Sequence, residues 1–146
     1  MSEISCDVIV IGAGPAGEVA AGRLADGGLE VVVVENHLVA GECSYYACMP
    51  SKALLRPGDL IDEARRIPGV KEAVTGDIDV ASALARRDEV IHDLDDSVQL
   101  PWLEDKGIRL VRGSGKLTGE KTVTAGEHEI TASRAVVIST GTRPAM

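Results

Sequence analysis

Two short runs of apolar, largely β-branched residues stand out along the chain, residues 7–11 (DVIVI) and 30–35 (EVVVVE). Each predicts a buried strand. Between them, residues 15–25 predict a helix that Gly27 and Gly28 stop. A strand–helix–strand unit of this size makes its two strands parallel. Residues 50–55 open another helical stretch, disturbed at Pro57-Gly58 and resuming to Arg66, and residues 67–77 read as loop. From Val80 the apolar positions Val80, Leu84, Ile91, Leu94 and Val98 follow helical spacing. The acids among them, Asp88, Glu89, Asp93, Asp95 and Asp96, read as a solvated face. The pattern then changes. Residues 109–112, 116–118, 121–124 and 127–131 are short Thr/Val-rich runs with glycines between them, which predict a small antiparallel meander. Residues 134–140 (RAVVIST) predict a last apolar strand.

Composition narrows the partners. The 146 residues suit one domain, and 45% are apolar, enough for a real core. Aromatics are only Tyr45, Tyr46 and Trp102, so that core is built from Val, Ile, Leu and Ala. A net charge of −8 argues against nucleic acid and anionic membrane surfaces as partners, since both demand a basic face. No run reaches the roughly 18 apolar residues of a membrane span. The acidic start, MSEISCD, lacks the basic region of a signal peptide. A cytoplasmic protein is expected, and there paired cysteines are more often catalytic or metal-binding than structural.

Residues 12–17 (GAGPAG) fit G-x-G-x-x-G between a strand and a helix. Gly12 can make the tight turn, Gly14 lets backbone approach a pyrophosphate, and Gly17 lets helix and strand pack closely. The N–H groups at the helix start favour an anion. Glu35 lies eighteen residues past Gly17, near the spacing of an acid that binds a ribose hydroxyl. An acid here disfavours NADP. NAD and FAD both remain open on this motif alone.

Residues 41–52 (GECSYYACMPSK) place Cys43 and Cys48 five residues apart. On a regular helix that separates Cα atoms by about 8–9 Å, whereas a disulfide needs about 4.4–6.8 Å. A bond between them requires a distorted segment, with Pro50 starting the regular helix. A thiol at that helix N-terminus would be acidified. Two free core thiols or half of a zinc site are the alternatives. The other candidate ligands, Cys6, His37, His92 and His128, show no paired spacing, and no metal is expected. Cys6 reads as a small core residue.

Together these segments resemble the pyridine nucleotide–disulfide oxidoreductases, the family of dihydrolipoamide dehydrogenase, glutathione reductase and mercuric reductase. Three motifs carry the resemblance in the family's order: GAGPAG at 12–17 with Glu35, C-x4-C-x-P-S-K at 43–52, and STGTRP at 139–144. It implies an α/β Rossmann-like FAD/NAD(P)-binding domain with a parallel sheet and a small antiparallel β-meander, spanning residues 1–146. It implies that Gly12, Gly14, Pro15, Ala16, Gly17 and Glu35 hold the ADP half of FAD, with Asn36, Gly41 and Glu42 beside them. Cys43 corresponds to the thiol that exchanges with substrate and Cys48 to the thiol nearest the flavin. Lys52 would stabilise reduced flavin. Gly115, Thr140 and Gly141 match backbone positions that approach FAD.

Two departures stand out. Ala40-Gly41-Glu42 replaces the family's two glycines and threonine, so a carboxylate stands where a hydroxyl contacts FAD. Tyr45 and Tyr46 replace small or Asn residues and read as space-filling. The implied activity passes electrons between NAD(P)H, FAD and a Cys43–Cys48 disulfide, acting on a small-molecule or protein disulfide in a homodimer. The family's return segment, NAD(P)H domain and dimerisation domain are absent from these residues, so a part of a longer enzyme, inactive alone, is expected. A stand-alone flavin- or dinucleotide-binding module without turnover is the alternative.

Overall fold

The structure, a computed structural model, describes residues 2–142. Its strands are β1 (Ser2–Ile11), β2 (Val31–Glu35), β3 (Arg109–Arg112), β4 (Lys116–Gly119), β5 (Thr122–Ala125) and β6 (His128–Ile138). Its helices are α1 (Pro15–Asp26), α2 (Gly41–Tyr45), α3 (Cys48–Arg66), α4 (Val80–Val90) and α5 (Leu100–Asp105). They form two compact units. One consists of the segments up to Gly41 and from Asp96; the other is Glu42–Asp95.

The first unit is a six-stranded sheet in the order β3-β2-β1-β6-β5-β4. β1 lies between β2 and β6, parallel to both, and β3 extends the parallel part beside β2. β5 runs antiparallel to β4 and β6. This is the Rossmann-like α/β fold with a meander. The uninterrupted apolar runs follow from burial on both faces. Val8, Val10, Val31 and Val33 pack with Ala21 of α1 and Leu103 of α5, while Ile9, Ile11, Val32 and Val34 pack with Val123 and Ile130 of the meander. Gly22 lets α5 close on α1: a Cβ there would lie 3.1 Å from the Trp102 ring.

Several sequence expectations change, among them the disturbance expected at Pro57-Gly58, where the helix is continuous. Arg109–Arg112 joins the parallel side of the sheet, beside β2, instead of the meander. Four residues with two apolar positions cannot encode a strand's neighbour, and here α5 precedes the strand in the crossover. Residues 127–131 and 134–140 do not form two strands. They merge into β6, because Ser133-Arg134 is a bulge and not a turn: Cys6 pairs with Ala132 but Val8 with Ala135. Asp7 pins the bulge, accepting from Ser133 Oγ at 2.9 Å and Arg134 Nε at 3.2 Å, while its other oxygen accepts from Glu30 N at 3.0 Å. These donors hold the Asp7 carboxyl below its usual range, the Glu30 N–H contributing most.

The long apolar stripe from Val80 is another. α4 ends at Val90, and His92, Asp93 and Leu94 then turn left-handed at φ 51°, 51° and 65°. Val98 belongs to a separate short 3-10 turn leading into α5.

In the second unit α3 runs unbroken through Pro57. Proline's fixed φ suits a helix, and only one i→i−4 bond is lost. Of the residues of α3 only Pro50 and Ala53 are buried, and α4 buries none. No helix among the described residues is long and apolar enough to cross a membrane.

Candidate functional site

The C-terminal ends of β1, β2 and β6 carry the glycine-rich turn. Gly12 sits at φ +98°, and a Cβ on it would lie 2.3 Å from the Ser139 carbonyl oxygen. The Ser139 N–H donates to Ile11 O at 2.8 Å, and the Gly12 N–H to Val34 O at 2.8 Å, so the turn is tied to both neighbouring strands. A Cβ on Gly17 would meet Gly12 O at 1.9 Å, which fixes how closely α1 approaches β1. Gly14 is different: a Cβ there would meet nothing within 4 Å. It N-caps α1 without any side-chain cap, and Pro15 occupies the first turn beside Ala16. The first-turn N–H groups of such a helix have no intrahelical partner.

Residues 36–41 form the facing wall. Ala40 and Gly41 are both left-handed, at φ 78° and 62°. The Ala40 N–H donates to Ala13 O at 2.8 Å. A Cβ on Gly41 would lie 2.7 Å from the Gly14 Cα. Glu35 is 8% exposed. Its Oε2 accepts from the Ala13 N–H and its Oε1 from the His37 N–H, both at 2.7 Å. The acid therefore braces the turn, and each oxygen retains a second lone pair for a hydroxyl donor. Asn36, next in sequence, is exposed. Gly115 lies over the ends of β1 and β2, where a Cβ would meet Ile11 at 3.0 Å and Val34 at 3.2 Å. The backbone N of Thr140 borders Gly12, and Gly141 follows at φ +71°. The structure thus gathers the sequence-predicted residues of this unit at one edge of the sheet. Arg143 and Pro144 of the last motif lie outside the described residues.

Two residues of this region escaped the sequence reading. Asp96, assigned there to a solvated helix face, has a side chain only 14% exposed. Its Oδ2 accepts from the Val39 N–H and from Arg112 Nη2, both at 2.7 Å, and Arg112 Nη1 donates to His37 O at 2.7 Å.

The cysteines lie in the second unit. α2 ends at Tyr45 and α3 starts at Cys48, with Ala47 between them at φ −121° and ψ −89°. The N–H groups of Tyr46 and Ala47 both turn back to Glu42 O, at 2.8 and 2.7 Å. The helix break precedes Cys48 itself, and Pro50 falls later in the first turn of α3. Both thiols are free. Neighbouring Cys48, above all, pushes the Cys43 thiol above its usual value of 9.0, while the Lys52 charge pulls it the other way. Cys43 is half-buried and Cys48, in the first turn of α3, is exposed. Tyr45 is buried and donates to Asp95 O at 3.4 Å, whereas Tyr46 is 50% exposed. Glu42 is exposed as well.

A family model described as pyridine nucleotide-disulphide oxidoreductase matches residues 6–146. The chain belongs to this family. Its curated relatives include mercuric reductase of Staphylococcus aureus, 31% identical over 96% of this chain and 26% of that protein. Dihydrolipoyl dehydrogenase 3 of Pseudomonas aeruginosa is 36% identical over 97% of this chain and 32% of that protein. The chain thus spans about a third or less of these relatives. Among solved structures, the HOCl-induced flavoprotein disulfide reductase RclA from Escherichia coli superposes with a TM-score of 0.75. That likeness covers 96% of this chain and 29% of RclA at 22% identity, and it shows the shared fold.

Proposed function

We propose that this chain is the FAD-binding part of an NAD(P)H-dependent disulfide oxidoreductase whose redox pair is Cys43 and Cys48. The observation that carries this reading is the pair itself: two free thiols on either side of a helix break, with Cys48 and the Lys52 charge both acting on Cys43. A sequence that only needed two core cysteines has no reason to interrupt a helix between them.

The glycine turn fits the pyrophosphate of FAD. Of its three glycines, Gly12 and Gly17 are packed against backbone while Gly14 faces open space beside uncapped helix N–H groups. Gly12, Gly14, Pro15, Ala16 and Gly17 would hold the phosphates, Glu35 and Asn36 the ribose side, and Gly41, Gly115, Thr140 and Gly141 would supply close backbone. Glu42 stands where a hydroxyl would bind and contributes only through its exposed carboxylate. Bound FAD would carry two electrons from NAD(P)H to the sulfur pair. This chain's own part is thiol–disulfide exchange. The Cys43 thiolate attacks a substrate disulfide and releases one thiol. Cys48 then attacks Cys43 sulfur, releases the second thiol and leaves the Cys43–Cys48 disulfide. The substrate gains two electrons and two protons, and the dithiol loses them. Lys52 favours the thiolate. The complete enzyme would be a cytoplasmic homodimer.

The test is to purify the protein, record its visible spectrum, titrate FAD and count thiols. One free thiol per chain after oxidation and three after reduction is the expected result. Three thiols under strong oxidant would sink the redox pair. NAD(P)H oxidation should be absent from these 146 residues with lipoamide or glutathione disulfide, and turnover would show that they suffice as an enzyme.

A further inference from the structure

We propose that Asp96 and Arg112 are positioning residues for the dinucleotide, acting through the loop of residues 36–41; this rests on the FAD assignment above. Arg112 ends β3 in register with Glu35, the last residue of β2. Its guanidinium fork spans two acceptors, the His37 carbonyl oxygen and the Asp96 carboxylate. The same carboxylate oxygen takes the Val39 N–H. Two peptide groups of the loop are thereby held from outside by one ion pair. From inside, the loop is held by the Ala40 N–H on Ala13 O and by the packing of Gly41 on Gly14.

The loop needs such a holder. Ala40, a residue with a Cβ, is left-handed, and such a conformation persists only where the surroundings over-determine it. Neither charge touches the open side of the glycine turn at Gly14. Both act by keeping the facing wall in place before a ligand arrives, so the cost of ordering it is not subtracted from binding. Lysine cannot substitute for Arg112, because a single ammonium lacks the planar fork that reaches both acceptors.

The experiment measures FAD affinity by titration for the wild-type chain and for Asp96→Ala, Arg112→Ala, the double variant and Arg112→Lys. Amide hydrogen exchange is followed in the same proteins, with Arg134→Ala as a control ion-pair deletion at the β6 bulge. Each single alanine variant should weaken FAD about tenfold, and the double no further, because the pair acts as one device. Arg112→Lys should fail to rescue. Val39 and Ala40 amides should exchange faster while those of β1 and β2 stay protected, which separates a loosened loop from an unfolded chain. The control should keep wild-type affinity. Unchanged affinity in the single variants, or additive losses, overturns the clamp alone. A wild-type chain that binds no FAD overturns the cofactor assignment, and the clamp's role with it.

Discussion

Gly41 is the residue on which the two walls of the glycine turn depend. It combines a left-handed φ of 62° with a Cα that leaves no room for a methyl group against Gly14. Gly41→Ala should therefore cost about 1–3 kcal/mol of stability and weaken FAD by more than about tenfold. A thermal melt and a titration would show it; an unaltered affinity would mean that the wall does not border the ligand. The thiols offer a second check. Because Cys48 raises Cys43 while Lys52 lowers it, Cys48→Ala should move the alkylation midpoint of Cys43 downward from its value above 9.0. A midpoint that stays put or rises would mean that the sulfurs are not adjacent. Glycine spacing made the roles of Gly12 and Gly17 readable in the sequence, since only a missing Cβ permits those approaches. Asp96 was not readable. An acid among acids looks the same whether it is solvated or clamped, and Arg112 lies sixteen positions away.

At the scale of elements, the β6 bulge depends on one carboxylate. Asp7 has a folded pKa below its ordinary 3.8, so its stabilisation is complete above about pH 4 and is lost as pH falls through the depressed value. Wild type should lose thermal stability on acidification below about pH 4 more steeply than Asp7→Asn, and parallel profiles would remove Asp7 from the account. α3 invites the opposite kind of change. Pro57→Ala restores an N–H to Ala53 O and should raise the helix's stability by up to about 3 kcal/mol, readable as a higher midpoint by circular dichroism. A lower midpoint would mean that proline contributes packing here. The strands β1 and β2 were legible because burial on both faces leaves an unbroken apolar run. The pairing of β3, the fusion of β6 and the left-handed turn at His92–Leu94 were not, since each depends on a partner distant in sequence or on backbone geometry without a side-chain pattern.

The whole molecule leaves much apolar surface uncovered. Among the described residues β6 beyond Ser133 pairs only with β1, and Ile138 is 62% exposed. Leu55 of α3 and Val80 of α4 are 65% and 66% exposed. Open strand edges and apolar faces of this kind promote association. The 146-residue chain should sediment as concentration-dependent oligomers, and a monodisperse monomer at high concentration would contradict this. The central place of β1 also orders events in time. Its partner β6 is separated from it by more than a hundred residues, so the middle of the sheet cannot close until residues 128–138 have been synthesised. The α3–α4 unit is built from near neighbours in sequence and is free to form earlier, while loop closure over the β1–β6 distance slows the sheet. On the ribosome the cysteine-bearing helices should therefore be in place first, and the nucleotide cradle should be the last part of this chain to become competent.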